Sequence, residues 1–222
     1  MKAVILAAGI GSRLRPITNE KPKTMVEVNG RPMINYIIDA LRDNGINNIV
    51  VCTGFMATKL VNHLELEYTD INFKFIENKD YDTTNNMYSL YLAKEELDED
   101  ILLMNADLVF EKSIIRELIK TKTTSVAVDK GNYIEESMKL KVENNIIKGI
   151  SKKISKEEAY GSSIDIYKIN KSDIKFIKEE MKRIIEQEKD LNQWTEVMLN
   201  NLFESGKIEA RPLDIGNKRW FE

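Results

Sequence analysis

The chain has 222 residues, and its 33 lysines and arginines nearly cancel its 36 aspartates and glutamates, so no global positive field points to nucleic acid and any basic site must be local. No stretch approaches the roughly 20 consecutive apolar residues of a membrane span, and Gly9, Gly11 and Arg13 interrupt the apolar N-terminal run before it can serve as a signal-peptide core. The single cysteine, Cys52, cannot make an intrachain disulfide and sits in an apolar run, which suits a buried thiol in a reducing compartment and a cytoplasmic protein.

Short runs rich in valine, isoleucine and leucine predict strands at 3–6, 49–52, 71–76, 101–104 and 125–128. Between them Ile34, Ile37, Ile38 and Leu41 fall at helical spacing, and Ile114, Ile115, Leu118 and Ile119 make a second such stripe. Strands alternating with helices imply a Rossmann-like α/β domain with a mostly parallel sheet, whose ligands collect at the carboxyl ends of the strands. After Lys130 the pattern changes. Met138, Leu140 and Val142 alternate with Lys139 and Lys141, a strand with one wet face, and 146–150 is its hairpin return, so the sheet becomes mixed. Residues 152–158 read as a charged loop or flap. A further strand, 160–167, points Ile164 and Ile166 one way and Ser163, Asp165 and Tyr167 the other. Ile174, Ile177, Met181 and Ile184 mark an amphipathic helix, Trp194, Val197, Met198 and Leu202 another, and 208–215 a last strand. We read residues 1–222 as one domain, with a core at 1–130 and a smaller part at 131–222. His63, on a charged helical segment, receives no role.

The first strand opens directly into Gly9-Ile-Gly11-Ser-Arg13, a loop whose glycines let backbone N–H groups approach an anion and whose cations can neutralise it. The loop lacks the Gly-Lys-Ser/Thr ending of a Walker A motif. Position 14 is leucine, and the second strand ends Cys52-Thr-Gly54 with no acid for a ribose, so the dinucleotide fingerprint is also broken.

The longer string Leu6-Ala-Ala-Gly-Ile-Gly-Ser-Arg13, Pro16, Lys21-Pro-Lys23-Thr-Met25 and Val28-Asn-Gly30-Arg-Pro-Met-Ile34 closely resembles the signature of nucleotidyltransferases that activate sugar 1-phosphates and small phospho-alcohols or phosphonates. The resemblance implies a glycosyltransferase-A-like nucleotidyltransferase fold, in which an acceptor phosphate attacks the α-phosphorus of a nucleoside triphosphate and pyrophosphate leaves. Such chemistry rests on positioning and charge neutralisation. It further implies that Arg13 grips the β- and γ-phosphates, that Lys23 stabilises the α-phosphate, and that Leu6, Ala7, Ala8, Gly9 and Gly11 hold the nucleotide. Asp107, after the strand Ile101-Leu-Leu-Met-Asn105, corresponds to the aspartate that binds catalytic Mg²⁺. Lys152, rather than Lys153, stands where sugar-nucleotide members carry a lysine for the acceptor phosphate, although the proline that follows it there is missing.

The segment Tyr81-Asp-Thr-Thr84-Asn85-Asn86-Met87-Tyr88-Ser89 replaces the glycine-rich segment of the sugar enzymes and resembles phosphocholine and aminoethylphosphonate cytidylyltransferases. Asn85, Asn86 and Ser89 are accordingly expected at the nucleotide. Asparagine offers both donor and acceptor to cytosine, although Asn85-Asn86 can also simply cap a helix. The expected substrates are CTP and a small phosphorylated or phosphonate acceptor such as phosphocholine or 2-aminoethylphosphonate. Its cationic head group would meet Asp165, Tyr167, Trp194 and Glu196 through carboxylate and cation–π contacts, and Glu135-Glu136 can also reach the acceptor. A sugar- or inositol-phosphate nucleotidyltransferase and a catalytically weak nucleotide-binding domain are the alternatives. No nucleic-acid or membrane partner is expected, and the oligomeric state stays open. Family members of this type follow Trp-x-Glu with Ile-Asp, whose aspartate is a second metal ligand. Here the sequence ends Trp220-Phe221-Glu222, so either the chain stops short or Asp107 and Glu222 suffice as metal ligands, and weakened Mg²⁺ binding is the expectation.

Overall fold

A computed structural model describes residues 1–222 apart from Asn132 and Ile134. β1 (Lys2–Ala7) lies mid-sheet because both of its faces are apolar: Val4 and Leu6 enter one core, while Ala3, Ile5 and Ala7 enter the other. A small hairpin of β2 (Glu27–Val28) and β3 (Arg31–Pro32) leads to α1 (Met33–Arg42). β4 (Asn48–Thr53), α2 (Ala57–Glu67), β5 (Asn72–Glu77) and α3 (Asn86–Leu92) follow. β6 (Ile101–Asn105) then returns to the other edge of β1, so β5, β4, β1 and β6 form a parallel set in that spatial order. The chain therefore leaves β1 toward β4 and later comes back beside β1 through β6. That reversal opens a crevice above the carboxyl ends of β1 and β6.

β7 (Val109–Phe110), α4 (Ser113–Leu118) and β8 (Ser125–Asp129) complete the first part. The hairpin β9 (Lys139–Glu143) and β10 (Ile146–Ser151) and the long β11 (Gly161–Ile169) then make the sheet mixed, β11 running antiparallel to β6, β8 and β9. α5 (Ile174–Lys182) winds on through a π-type turn, Arg183–Gln187, and α6 (Thr195–Glu204) follows. β12 (Arg211–Asp214) pairs with β8, and β13 (Trp220–Phe221) folds back on β7. Residues of α1, α2 and α4 fill one core, and residues of α3, α5 and α6 fill the other. The nine-stranded sheet runs through both parts of the chain.

Each expected strand and helix has its counterpart, with three local corrections. Lys139 is not on a wet face: it is fully buried, and its ammonium donates to Glu135 O (2.7 Å), a backbone partner that offsets the burial of a charge. Trp194 is not part of a buried helical stripe but precedes α6 and is exposed. Of 208–215 only Arg211–Asp214 is paired as strand. Cys52 is fully buried, and burial pushes its thiol up to about 12, so it is an inert core residue. His63 Nε2 lies 2.7 Å from Asn35 Oδ1. Among the described residues no helix is long and apolar enough to cross a membrane.

Candidate active site

A cleft of about 340 Å³ opens above the carboxyl ends of β1 and β6. One wall is the loop after β1. Phe55 N donates to Ala8 O (3.0 Å), tying that loop to the end of β4. Gly54 permits the approach, because a Cβ there would stand 2.7 Å from Ala8 O and 2.8 Å from Tyr81 Cβ. Gly11 is left-handed, with φ +67°, and a Cβ there would stand 2.6 Å from Lys23 Cβ. Thr18 Oγ1 donates to Gly11 O (2.9 Å), closing the loop on itself. The same close approach delivers Lys23, which heads the short turn Lys23–Met25, to the cleft, where its ammonium pairs with Asp107. Gly9 has no atom within 4 Å of the place a Cβ would occupy, so its free side faces open space. Arg13 is exposed on this wall.

Two features of this wall were invisible in the residue string. Gly54 is one. The other is Thr24, beside Lys23 on the cleft wall: it is buried, and its hydroxyl is the buried side-chain polar atom without a partner among the described residues. An orphaned buried hydroxyl carries a desolvation cost that a ligand atom can relieve.

Asn85 and Asn86 open α3 and line the cleft, but their carboxamide oxygens are already used. Asn85 is the N-cap, its side chain accepting from Asn86 N (2.8 Å), and Asn86 Oδ1 accepts from Thr195 N (2.9 Å) at the start of α6. Asn86 Nδ2 reaches toward Asn105 Oδ1 at 3.4 Å. What Asn86 has to spare for a ligand is therefore mainly N–H. Ser89 also borders the cleft and accepts from the buried Asn78 (3.0 Å).

The opposite wall is acidic and enclosed. Asp165 has φ +56°, and the pairing of β11 with β8 shifts register between Ser163 and Tyr167. This bulge turns Asp165 into the cleft, as bulges do where a strand re-aims a side chain. Tyr167 does not border the cleft as its alternation suggests. It is buried behind it, with its hydroxyl 3.0 Å from Asp165 Oδ1, 2.9 Å from Glu196 Oε1 and 3.2 Å from Ser163 Oγ. A phenol has one proton to give. It can donate fully to one carboxylate only, and two carboxylates meeting at one hydroxyl repel each other, which favours the neutral form of one of them. In agreement, burial raises Asp165 well above the usual carboxylate range, with the charge of Glu196 adding to it, and burial also raises Glu196. Asn105 Nδ2 donates to Asp165 Oδ2 (2.9 Å), a contact no sequence signal announced.

Lys152 borders the cleft whereas Lys153 is exposed beyond it, and the Lys152 ammonium lies 4.7 Å from the centre of the Trp194 ring. Glu136 reaches the rim and Glu135 does not. Glu222 closes the remaining side. Partial enclosure and then the neighbouring Asp107 raise its carboxyl, while Lys23, Lys152 and Arg13 oppose the shift. The cleft thus joins a cationic loop, an acid pair at Asp107 and Glu222, and a buried carboxyl pair.

A family profile described as nucleotidyl transferase matches residues 2–136, more than half of the chain. The chain belongs to the nucleotidyl transferase family. It is thus a nucleotidyltransferase, and the relatives it resembles include cytidylyltransferases. The CTP:phosphoglutamine cytidylyltransferase of Campylobacter jejuni is 35% identical over 188 residues, covering 77% of this chain and 73% of the relative. The choline-phosphate cytidylyltransferase of Streptococcus pneumoniae is 38% identical over 126 residues, covering 57% of this chain and about half, 53%, of the relative. Among solved structures, the CTP:phosphocholine cytidylyltransferase of Streptococcus pneumoniae superposes with a TM-score of 0.80 at 23% identity, covering 100% of this chain and 92% of that one. That likeness is one of fold.

Proposed function

We propose that this chain transfers the cytidylyl group of CTP to a small phosphorylated or phosphonate acceptor, of the phosphocholine or 2-aminoethylphosphonate kind, with release of pyrophosphate. The observation that carries the reading is the convergence of Arg13, Lys23 and Asp107 on one cleft at the carboxyl ends of β1 and β6, facing a buried acidic wall. The named activities of the two cytidylyltransferase relatives support CTP and a phosphorylated acceptor.

In this reading the triphosphate lies along the loop after β1. Arg13 takes the β- and γ-phosphates, and backbone from Leu6 to Gly11 holds the nucleotide, with Asn85, Asn86 and Ser89 toward the base. Lys23 leaves Asp107 for the α-phosphate, where negative charge gathers in the transition state. An oxygen of the acceptor, held by Lys152, attacks the α-phosphorus; a new P–O bond forms and the bond to the bridging oxygen of pyrophosphate breaks. Positioning converts this encounter into an in-line displacement.

The donor set fits Mg²⁺. No group of three or more carboxylate, histidine or cysteine side chains able to hold a metal occurs among the described residues, while Asp107 and Glu222 present two carboxylates to the cleft. Magnesium is bound by one or two carboxylates with phosphate and water completing its shell, not by a protein cage. Asp107 and Glu222 would hold it, and when bound it supplies charge neutralisation at the phosphate oxygens.

The test is a pyrophosphate-release screen that crosses four nucleoside triphosphates with phosphocholine, 2-aminoethylphosphonate, phosphorylated amides, glycerol phosphate and sugar 1-phosphates. CTP with a small non-sugar acceptor should give the highest turnover. Preference for UTP or dTTP with a sugar 1-phosphate would overturn the reading.

A further inference from the structure

The acceptor end of the cleft is bounded by Met138, Lys152, Ser163, Asp165, Trp194 and Glu196. A quaternary ammonium has no N–H to donate and is recognised by aromatic faces arranged around it. Among the described residues that line the cleft, Tyr81 and Trp194 are the aromatic ones. Tyr81 belongs to the other wall, packed edge-on against Phe55 at 5.9 Å and under Gly54. Trp194 stands alone at the acceptor end, and the Lys152 ammonium already lies over its ring at 4.7 Å. The acceptor end therefore has one ring where a cage needs several.

It does have hydrogen-bond acceptors. Asp165 and Glu196 meet at the Tyr167 hydroxyl, which has a single proton for two carboxyl groups, and Asn105 fixes the second oxygen of Asp165. Buried carboxylates are tolerated when hydrogen bonds as well as opposite charge reach them. A primary ammonium brings a positive charge and three N–H donors. A trimethylammonium brings the charge alone, at a larger radius, and leaves the carboxylate lone pairs unmet.

We propose that the acceptor carries a primary ammonium head group, hydrogen-bonded by Asp165 and Glu196, and that the cleft discriminates against the quaternary equivalent. The proposal rests on the cytidylyl-transfer reading above. Asp165 and Glu196 are specificity-determining residues in it, Tyr167 and Asn105 position them, and Trp194 forms the rim.

The test uses the full chain with CTP and Mg²⁺ and two acceptor pairs that differ only in N-methylation: phosphoethanolamine against phosphocholine, and 2-aminoethylphosphonate against its N,N,N-trimethyl analogue. Initial rates of pyrophosphate release give kcat/KM for each. The primary member should be favoured by at least about tenfold, the loss expected when hydrogen bonds to a charged group cannot form. Asp165→Asn and Glu196→Gln, checked for folding by thermal melts, should each shrink the ratio to within about threefold by lowering the primary member. Trp194→Ala should leave the ratio in place. Equal or better use of the quaternary member, or a ratio that collapses in Trp194→Ala and survives in both carboxyl variants, would overturn the proposal. Turnover of CTP with glycerol phosphate or a sugar 1-phosphate but with neither member of either pair would overturn it while leaving cytidylyl transfer standing. No turnover of CTP with any acceptor would remove the transfer reading and this proposal together.

Discussion

The two walls of the cleft solve opposite electrostatic problems. The loop after β1 keeps its cations accessible, with Arg13 exposed and Lys23 in direct contact with Asp107, and it is shaped by its own Gly11 and by Gly54 after β4. The wall built by β11 and α6 buries Asp165, Tyr167 and Glu196 in contact with one another. An exposed cation can exchange an internal carboxylate for a passing phosphate at little cost, whereas a buried acid pair is unfavourable until something positive or hydrogen-bonding reaches it. The first wall suits a polyanion that comes and goes, and the second suits a small ligand that must be told from near relatives.

The largest effect should come from the cationic wall. Arg13→Ala or Lys23→Ala should lower kcat/KM for pyrophosphate release by roughly 10²–10³ with every acceptor, as loss of a group that stabilises developing charge does, while the melting temperature stays close to that of the wild type. A loss confined to one acceptor would break the division between the walls.

On the acidic wall, Asp165→Asn should lower acceptor kcat/KM about tenfold or more and yet stabilise the fold. Burial and Glu196 raise the Asp165 carboxyl, so the folded chain keeps a proton that the unfolded chain releases near the ordinary value of about 3.9. Wild-type stability therefore declines as pH rises from there toward the raised value, and the amide removes the decline. Differential scanning calorimetry across that window should show the variant gaining over wild type as pH rises, by about 2–4 °C for each kcal/mol. A variant that loses stability as pH rises would contradict the burial of a protonated pair.

Glycine substitutions separate shape from contact. Gly11→Ala forces a side chain into φ +67° and against Lys23, so it should cost about 1–3 kcal/mol of stability as well as activity. Gly9→Ala meets no protein atom within 4 Å and should leave the melt unchanged while weakening CTP binding. Equal melts with full CTP affinity for Gly9→Ala would place the nucleotide elsewhere. The smallest effect is expected at Thr24: replacing its unpartnered hydroxyl in Thr24→Val should be neutral or slightly stabilising in the melt, with a several-fold rise in KM for CTP that Thr24→Ser reverses.

The difference between the walls also explains what the sequence could reveal. Arg13, Lys23 and the glycines lie within a short contiguous string whose chemistry is local, and the strand ending at Asn105 brings Asp107 beside it by the ordinary parallel crossover. The fold was legible for the same reason: alternating apolar runs and helical stripes give the order of elements directly. The acidic wall depends on long-range events. The bulge that turns Asp165 inward is set by pairing with β8, and Tyr167 reaches Glu196 only after α6 has packed, so simple alternation placed Tyr167 in the cleft when it stands behind it. Asn86 shows the same limit, since its oxygen is claimed by Thr195, a residue far away in the chain. Gly54 and Thr24 carry no signal without coordinates, because one matters through an approach to Ala8 and the other through a missing partner.

The central claim is that the triphosphate of the nucleotide is held by the cationic wall and not by the acidic one. Calorimetric titration of CTP with Mg²⁺ into the wild type, Arg13→Ala, Lys23→Ala and Asp165→Asn tests it most directly. The account predicts measurable but weak binding to the wild type, affinity lowered about tenfold or more in each cationic variant, and affinity within about twofold of wild type in Asp165→Asn. Unchanged CTP affinity in both cationic variants, or a loss in Asp165→Asn as large as theirs, would contradict it.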